Sequence, residues 1–215
     1  MKNSLNERLK AHGNLIKQQN LFVYIKGVFR RWYYIHLQKK FKFDNWHVIP
    51  YELRPYAWYL VHYINNHMNI KSVAEIGCGL GDIIRNISAN YKTGVDLSQE
   101  VLNCASFLDH KKSGKCKFKK GVFGKVINGI PEELDLLITV NFIHNIPEDT
   151  LKISYADILK KVKVQNIIVD GKSGKNYKYH HMHWSRIVPG YNVTVIWNSE
   201  DVTLYRLERK NNELD

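Results

Sequence analysis

AEIGCGLGD, residues Ala74–Asp82, sets three glycines (Gly77, Gly79 and Gly81) within five positions, directly after an apolar run. Glycine at that density marks a turn whose backbone passes close to another group. The stretch KSVAEIG reads as a short buried strand closed by glycine, so the motif ends a strand and opens a turn. A triphosphate cradle needs GxxxxGK[ST], which neither this stretch nor DGKSGK near Gly171 supplies. A dinucleotide turn needs GxGxxG. Here the third glycine comes one place early, and Asp82 puts a carboxylate where pyrophosphate would sit. Glu75 stands two places before the first glycine. Carboxylates around a glycine turn suit a ligand that carries positive charge and no phosphate. Asp96 ends the next strand, 19 residues beyond Gly77, where a carboxylate can accept both hydroxyls of a ribose.

Outward from this turn, the pattern alternates. PYELRPYAWYLVHYINNHMN (50–69) carries Leu53, Ala57, Leu60, Val61, Ile64 and Met68 at helical spacing. After the glycine turn, GDIIRNISAN is expected to be a helix and YKTGVDLS a second strand. SQEVLNCASFLDH is a helix with Ser98 as N-cap, followed by a third strand in GKCKFKKGVF and a fourth in ELDLLITV. Pro147 opens another helix at its N1 position, NIIVDG is a fifth strand, and Lys172–Pro189 is a loop or short helix. NVTVIWNSEDVTLYRLER closes the chain as a hairpin. Alternation from residue 50 to about 171 predicts an α/β fold: a doubly wound, mostly parallel seven-stranded sheet with a C-terminal antiparallel hairpin. Ligands of such sheets lie at the carboxyl ends of the strands.

The chain has 215 residues and a net charge of +12, unevenly placed. Residues 1–45 hold ten Lys and Arg against Glu7 and Asp44, a balance of +8, which leaves +4 for the rest. We therefore divide the chain into a basic, aromatic N-terminal arm (1–45), expected to be helical, and a domain (46–215). Within the arm, Leu21, Ile25, Val28, Phe29, Trp32 and Ile35 recur near helical spacing, with Lys26, Arg30 and Arg31 off that line. Such a segment suits docking on the domain or on a second subunit through residues 21–43, or contact with an anionic membrane surface. Nucleic acid is a further, less favoured partner. No apolar run reaches the ~18 residues of a membrane span, and no apolar region follows the first charges, so a cytoplasmic protein, at most peripheral to a membrane, is expected. Cys78, Cys104 and Cys116 are odd in number and lack CxxC spacing, which predicts free thiols.

VAEIGCGLGDII, with GVDLS about twenty residues on, resembles the class I S-adenosylmethionine-dependent methyltransferases, across roughly Trp46 to Arg209. The resemblance implies S-adenosylmethionine as cofactor and S-adenosylhomocysteine as product. It implies that Ile76, Gly77, Cys78, Gly79 and Gly81 bring backbone to the methionine moiety, that Glu75 orients the turn or reaches the cofactor's amino group through water, and that Asp96 holds the ribose beside Leu97. The family usually has an acid or amide after the third strand; Val122 and Phe123 stand there instead, which implies backbone and apolar contact with the adenine. The residues Trp-His-x-x-Pro-Tyr-Glu-x-Arg-Pro-Tyr from Trp46 are similar to those of methyltransferases associated with polysaccharide biosynthesis. In the family this segment often closes over the cofactor. Trp46, His47, Tyr51, Arg54 and Tyr56 are candidates for that lid, and Arg54 for either the cofactor carboxylate or a solvated helix position.

The methyl acceptor should meet residues after strands four and five. Asn141 matches the first position of the [DNS]-P-P-[YFW] motif of base-amine methylation, but Phe142 and Ile143 replace both prolines. No cysteine follows residue 117, so base C5-methylation lacks its nucleophile. What remains looks like the small-molecule type of the family, in which a histidine near NxxHxI often lies beside the transferred methyl; the resemblance implies a small polar acceptor, most simply a hydroxyl of a sugar or glycan precursor, which needs a base, and His144 is the first candidate. His181 and His183 of YKYHHMHW (177–184) are the second, and their spacing with His180 suits no standard metal pattern, so no metal is expected. The rival readings are an RNA methyltransferase that uses the basic arm and a non-catalytic cofactor-binding subunit.

Overall fold

The computed structural model describes residues 21–112, 115–125, 130–173 and 177–210. Seven strands form one sheet in the order β3-β2-β1-β4-β5-β7-β6. They are β1 (Ser72–Ile76), β2 (Tyr91–Asp96), β3 (Cys116–Lys120), β4 (Glu133–Thr139), β5 (Lys163–Lys172), β6 (Tyr191–Asn198) and β7 (Val202–Arg209). The first five run parallel, and β7 lies antiparallel between β5 and β6. The order reverses between β1 and β4, so the crevice at their carboxyl ends is the ligand position of a doubly wound sheet.

The described residues include five α-helices: α1 (Leu21–Phe41), α2 (Pro55–His67), α3 (Gln99–His110), α4 (Glu148–Leu159) and the short α5 (Trp184–Ile187). The α2 stripe is as the spacing predicts: Ala57, Leu60, Val61 and Ile64 are buried against Val73, Leu136 and Ile138. On the other face, Leu151, Tyr155 and Ile158 of α4 meet Leu137, Ile167 and Val169. Ser98 caps α3, its hydroxyl accepting from the Val101 amide at 3.2 Å. Pro147 is the N-cap of α4, one place earlier than expected.

The expected helix over GDIIRNISAN does not form. A turn and a single 3-10 segment, Ile84–Asn86, replace it. The reason is a set of competing hydrogen bonds. Glu75 accepts from the Ile84 amide (3.0 Å), and Asn65 bonds the Asn86 carbonyl (2.9 Å) and the Ser88 amide (2.9 Å). The backbone groups that a longer helix needs are already used.

α1 docks on the domain, but not by the residues that its periodicity favours. Its buried residues are Gly27, Tyr34 and Leu37, which lie opposite Leu21, Ile25, Val28, Phe29, Trp32 and Ile35. Gly27 permits close approach: a Cβ there would meet Leu53 Cδ2 at 2.8 Å. Tyr34 and Leu37 join Val101, Cys104 and Leu108 of α3 in a small core, and Arg30 reaches the buried Glu52 at 2.7 Å. The boundary proposed at residue 45 thus marks where the charge changes, while packing runs across it.

Candidate active site

A cavity of about 1070 Å³ opens at the carboxyl ends of β1, β2 and β4. That volume is at the top of the ~300–1,000 Å³ range of ligand sites, room enough for a cofactor and an acceptor together. Among its walls are Glu75, Ile76, Gly77, Cys78, Gly79, Asp96, Leu97, Val122, Phe123, Asn141 and His144. Of the residues expected to bind cofactor, Gly81 alone does not line it.

The glycine turn is built by backbone conformation and by two carboxylates. Gly77, Gly79 and Gly81 have φ of 72°, 53° and 71°, the left-handed region that side chains disfavour. A Cβ at Gly77 would also fall on the Phe142 ring. Asp96 Oδ2 accepts from the Gly79 amide (2.9 Å) and Oδ1 from the Ser98 amide (3.1 Å), so the carboxylate ties the turn to the end of β2. Each oxygen keeps a second lone pair for a ribose hydroxyl. Glu75 is buried, and burial pushes its carboxyl up to about 8, against the opposing pull of the Ile84 amide. A cationic amino group arriving beside it would offset that burial.

Asp82 has a role that the sequence did not disclose. It accepts from the Tyr34 hydroxyl (2.5 Å), the Arg85 guanidinium (2.8 Å) and the Tyr51 amide (3.1 Å), and Arg54 lies 3.6 Å away. It joins α1, the segment before β1 and the glycine turn. Arg54 lines the cavity, and its buried Nε has no hydrogen-bond partner among the described residues. Such an orphaned cationic donor fits a carboxylate ligand. Trp46, His47 and Ile49 line the same wall, and His47 is held by Asp44 at 2.8 Å. Tyr51 and Tyr56 are buried below them.

The β4–β5 end of the cavity differs. Asn141, at φ 69°, donates its amide to Asp170 Oδ1 (3.0 Å). Asp170 and Lys172 on β5 form a buried ion pair at 3.2 Å, and Lys172 Nζ lies 4.7 Å from the Tyr56 ring centre and 5.5 Å from that of Tyr177. His144 follows in the 3-10 turn Ile143–Asn145, edge-on to Tyr177 with ring centres 4.9 Å apart. Its buried Nδ1 has no partner among the described residues, and burial holds its imidazole below the ordinary range, opposed by the Asp170 charge. The imidazole is therefore neutral near pH 7 and able to accept a proton. Tyr177 belongs to the YKYHHMHW segment singled out in the sequence; Asp170 and Lys172 were missed, and an acid and a lysine two apart at the end of a predicted strand were the available signal.

The other histidines are elsewhere. His181 is buried and donates Nε2–H to the Ile146 carbonyl (2.9 Å), stacked on Tyr179. His183 is exposed at the N-cap of α5, and neither residue lines the cavity. No three His, Cys, Asp or Glu side chains among the described residues come together as a metal site. Burial raises all three thiols, Cys104 and Cys116 to about 12.

The chain matches no protein-family model and no curated protein. Solved structures do resemble it. Magnesium protoporphyrin IX methyltransferase (ChlM) from Synechocystis PCC 6803, with bound SAH, superposes over 86% of this chain and 99% of that one (TM-score 0.61, 12% identity). The N-methyltransferase NodS from Bradyrhizobium japonicum WM9, in complex with S-adenosyl-L-homocysteine, covers 83% and 98% (TM-score 0.63, 14% identity). The small RNA methyltransferase HEN1 covers 75% of this chain and 26% of its own (TM-score 0.61, 15% identity). The chain has the Rossmann-like fold of class I S-adenosylmethionine-dependent methyltransferases.

Proposed function

We propose that the protein transfers a methyl group from S-adenosylmethionine to a hydroxyl of a small polar acceptor, most simply a sugar or glycan precursor. The observation that carries this reading is His144, whose buried Nδ1 has no hydrogen-bond partner among the described residues and which lines the same cavity as the Glu75 and Asp96 carboxylates. When bound, the cofactor supplies a methyl group activated by its sulfonium. Asp96 would hold the ribose hydroxyls, Glu75 the ammonium end and Arg54 the carboxylate. Leu97, Val122 and Phe123 would pack on the adenine. His144 would take the proton that the acceptor hydroxyl loses, and a hydroxyl without that base is a poor nucleophile. Phe142, Tyr177 and Trp46 offer flat faces on which a ring acceptor can pack.

The test is incubation with methyl-labelled cofactor and fractionated cell extract, followed by chemical analysis of the labelled product. An alkali-stable methyl ether on a sugar is expected. Label on an amine or in RNA would overturn the acceptor while leaving methyl transfer intact. No label in any fraction, with cofactor bound, would favour the non-catalytic reading.

A further inference from the structure

Among the described residues, the outer strip of α1 joins none of the three cores and does not line the cavity. Leu21, Ile25, Val28, Phe29, Trp32 and Ile35 all point away from the domain, with Phe29 70% and Trp32 74% exposed. At 100° per residue these six fall on one arc of the helix. Arg31 borders it on one side and Lys26 and Lys40 on the other, with His36 and Lys39 at its carboxyl end. The opposite face is taken by Gly27, Arg30, Tyr34 and Leu37, which pack, pair and hydrogen-bond the helix to the domain. Docking therefore orients an apolar strip outward and keeps it there.

Among the described residues the charges around the strip are largely unpaired, Lys26 alone feeling the buried Glu52 at a distance. Lys26, Arg31, Lys39 and Lys40 form no ion pair with a carboxylate of the described residues. Lys111, from the end of α3, joins them: Lys40 Nζ and Lys111 Nζ each lie 4.7 Å from the centre of the Phe107 ring. Two ammonium groups gathered on one ring, beside an apolar strip, call for an anionic partner with an apolar interior.

We propose that this face docks the protein on an anionic lipid bilayer, with α1 in the plane of the interface. The apolar strip would enter the headgroup–acyl boundary, and the flanking cations would meet acidic headgroups. A second copy of the chain is the weaker occupant on two grounds. A single helix of this length offers a strip of about 30 Å by 10 Å, or roughly 300 Å², well under the ~800 Å² per partner of a stable interface. Pairing two such faces would also bring like charges together. RNA would use the cations and leave six apolar side chains in water. Among the described residues no helix is long and apolar enough to cross a membrane, which is consistent with lying on one.

The full chain is mixed with vesicles of phosphatidylcholine, alone or with phosphatidylglycerol, and the bound fraction is read by sedimentation at several salt concentrations. Binding to the anionic vesicles, weakening as salt rises, is expected. The doubly substituted Phe29→Glu/Trp32→Glu chain should bind at least about tenfold less, from the lost apolar insertion and the added negative charge. Arg31→Ser and Lys39→Ser should each cost about fivefold. Every replaced side chain is exposed, so melting temperature and circular dichroism should match the parent; a matched fold with lost vesicle binding supports the proposal. Wild-type chain that stays in the supernatant at low salt overturns it, as does equal binding by the Phe29/Trp32 variant. A dimer in the absence of vesicles that this variant dissolves would assign the face to a second copy. Retention on RNA without vesicle binding would assign the cations to nucleic acid. None of these readouts uses methyl transfer, so the outcome stands apart from the proposed activity.

Discussion

The two ends of the cavity are built in opposite ways. At the β1–β2 end, the carboxylates are bonded to backbone amides: Asp96 to Gly79 and Ser98, Glu75 to Ile84. That end holds its own shape. At the β4–β5 end, two buried polar atoms lack hydrogen-bond partners among the described residues: His144 Nδ1 and Asp170 Oδ2, the latter facing Lys172 in an ion pair. An unpaired buried group costs free energy, on the order of 1–3 kcal/mol, which a folded chain recovers when a ligand completes the set. The difference teaches that the glycine turn is preorganised by local sequence, while His144 at the other end, like Arg54 Nε beside the turn, keeps a polar atom that a ligand could meet.

The largest expected effect falls on the unsatisfied end. His144→Ala should lower turnover by about 10²–10⁴ and leave cofactor affinity within a few-fold, as loss of a base does. The wild-type rate should rise with pH through the acidic side of neutrality, and the variant should lose that limb. Equal turnover in the two proteins would break the comparison. At the preorganised end, Asp96→Ala should cost affinity rather than rate: roughly 10–100-fold in cofactor dissociation constant by calorimetry, since it removes both the tether to Gly79 and the proposed ribose acceptor.

Tyr34→Phe removes one charge-assisted hydrogen bond from Asp82. A loss of about 1.5–3 kcal/mol in unfolding free energy is expected from denaturant melts, without loss of the cofactor site. Glu75 gives a pH signature. Its folded carboxyl is raised to about 8, so the folded state holds a proton that the unfolded state releases near 4.5. Stability of the cofactor-free protein should therefore fall as pH rises between those values. Glu75→Gln should flatten that part of a melting-temperature profile. The smallest effect is expected at His183→Ala, exposed and outside the cavity: turnover within about twofold, against the large loss at His144.

The cofactor turn was legible because its logic is local. Glycine spacing, a preceding acid and Asp96 at the end of the next strand are near in sequence, and strand alternation made the parallel sheet readable as well. The sequence by itself thus determined the sheet, its hairpin and the cofactor end. Only tertiary structure decided the rest. The 84–90 segment has helix-compatible residues, yet its backbone groups are claimed from Glu75 and Asn65. Asp82 read as a ligand-facing carboxylate, and long-range partners such as Tyr34 make it a hub of the fold. α1 is apolar on both faces, so periodicity could not choose between them. The choice came from shape: the side with Gly27 approaches the domain closely, the side with Tyr34 reaches Asp82, and the bulkier strip was left facing outward.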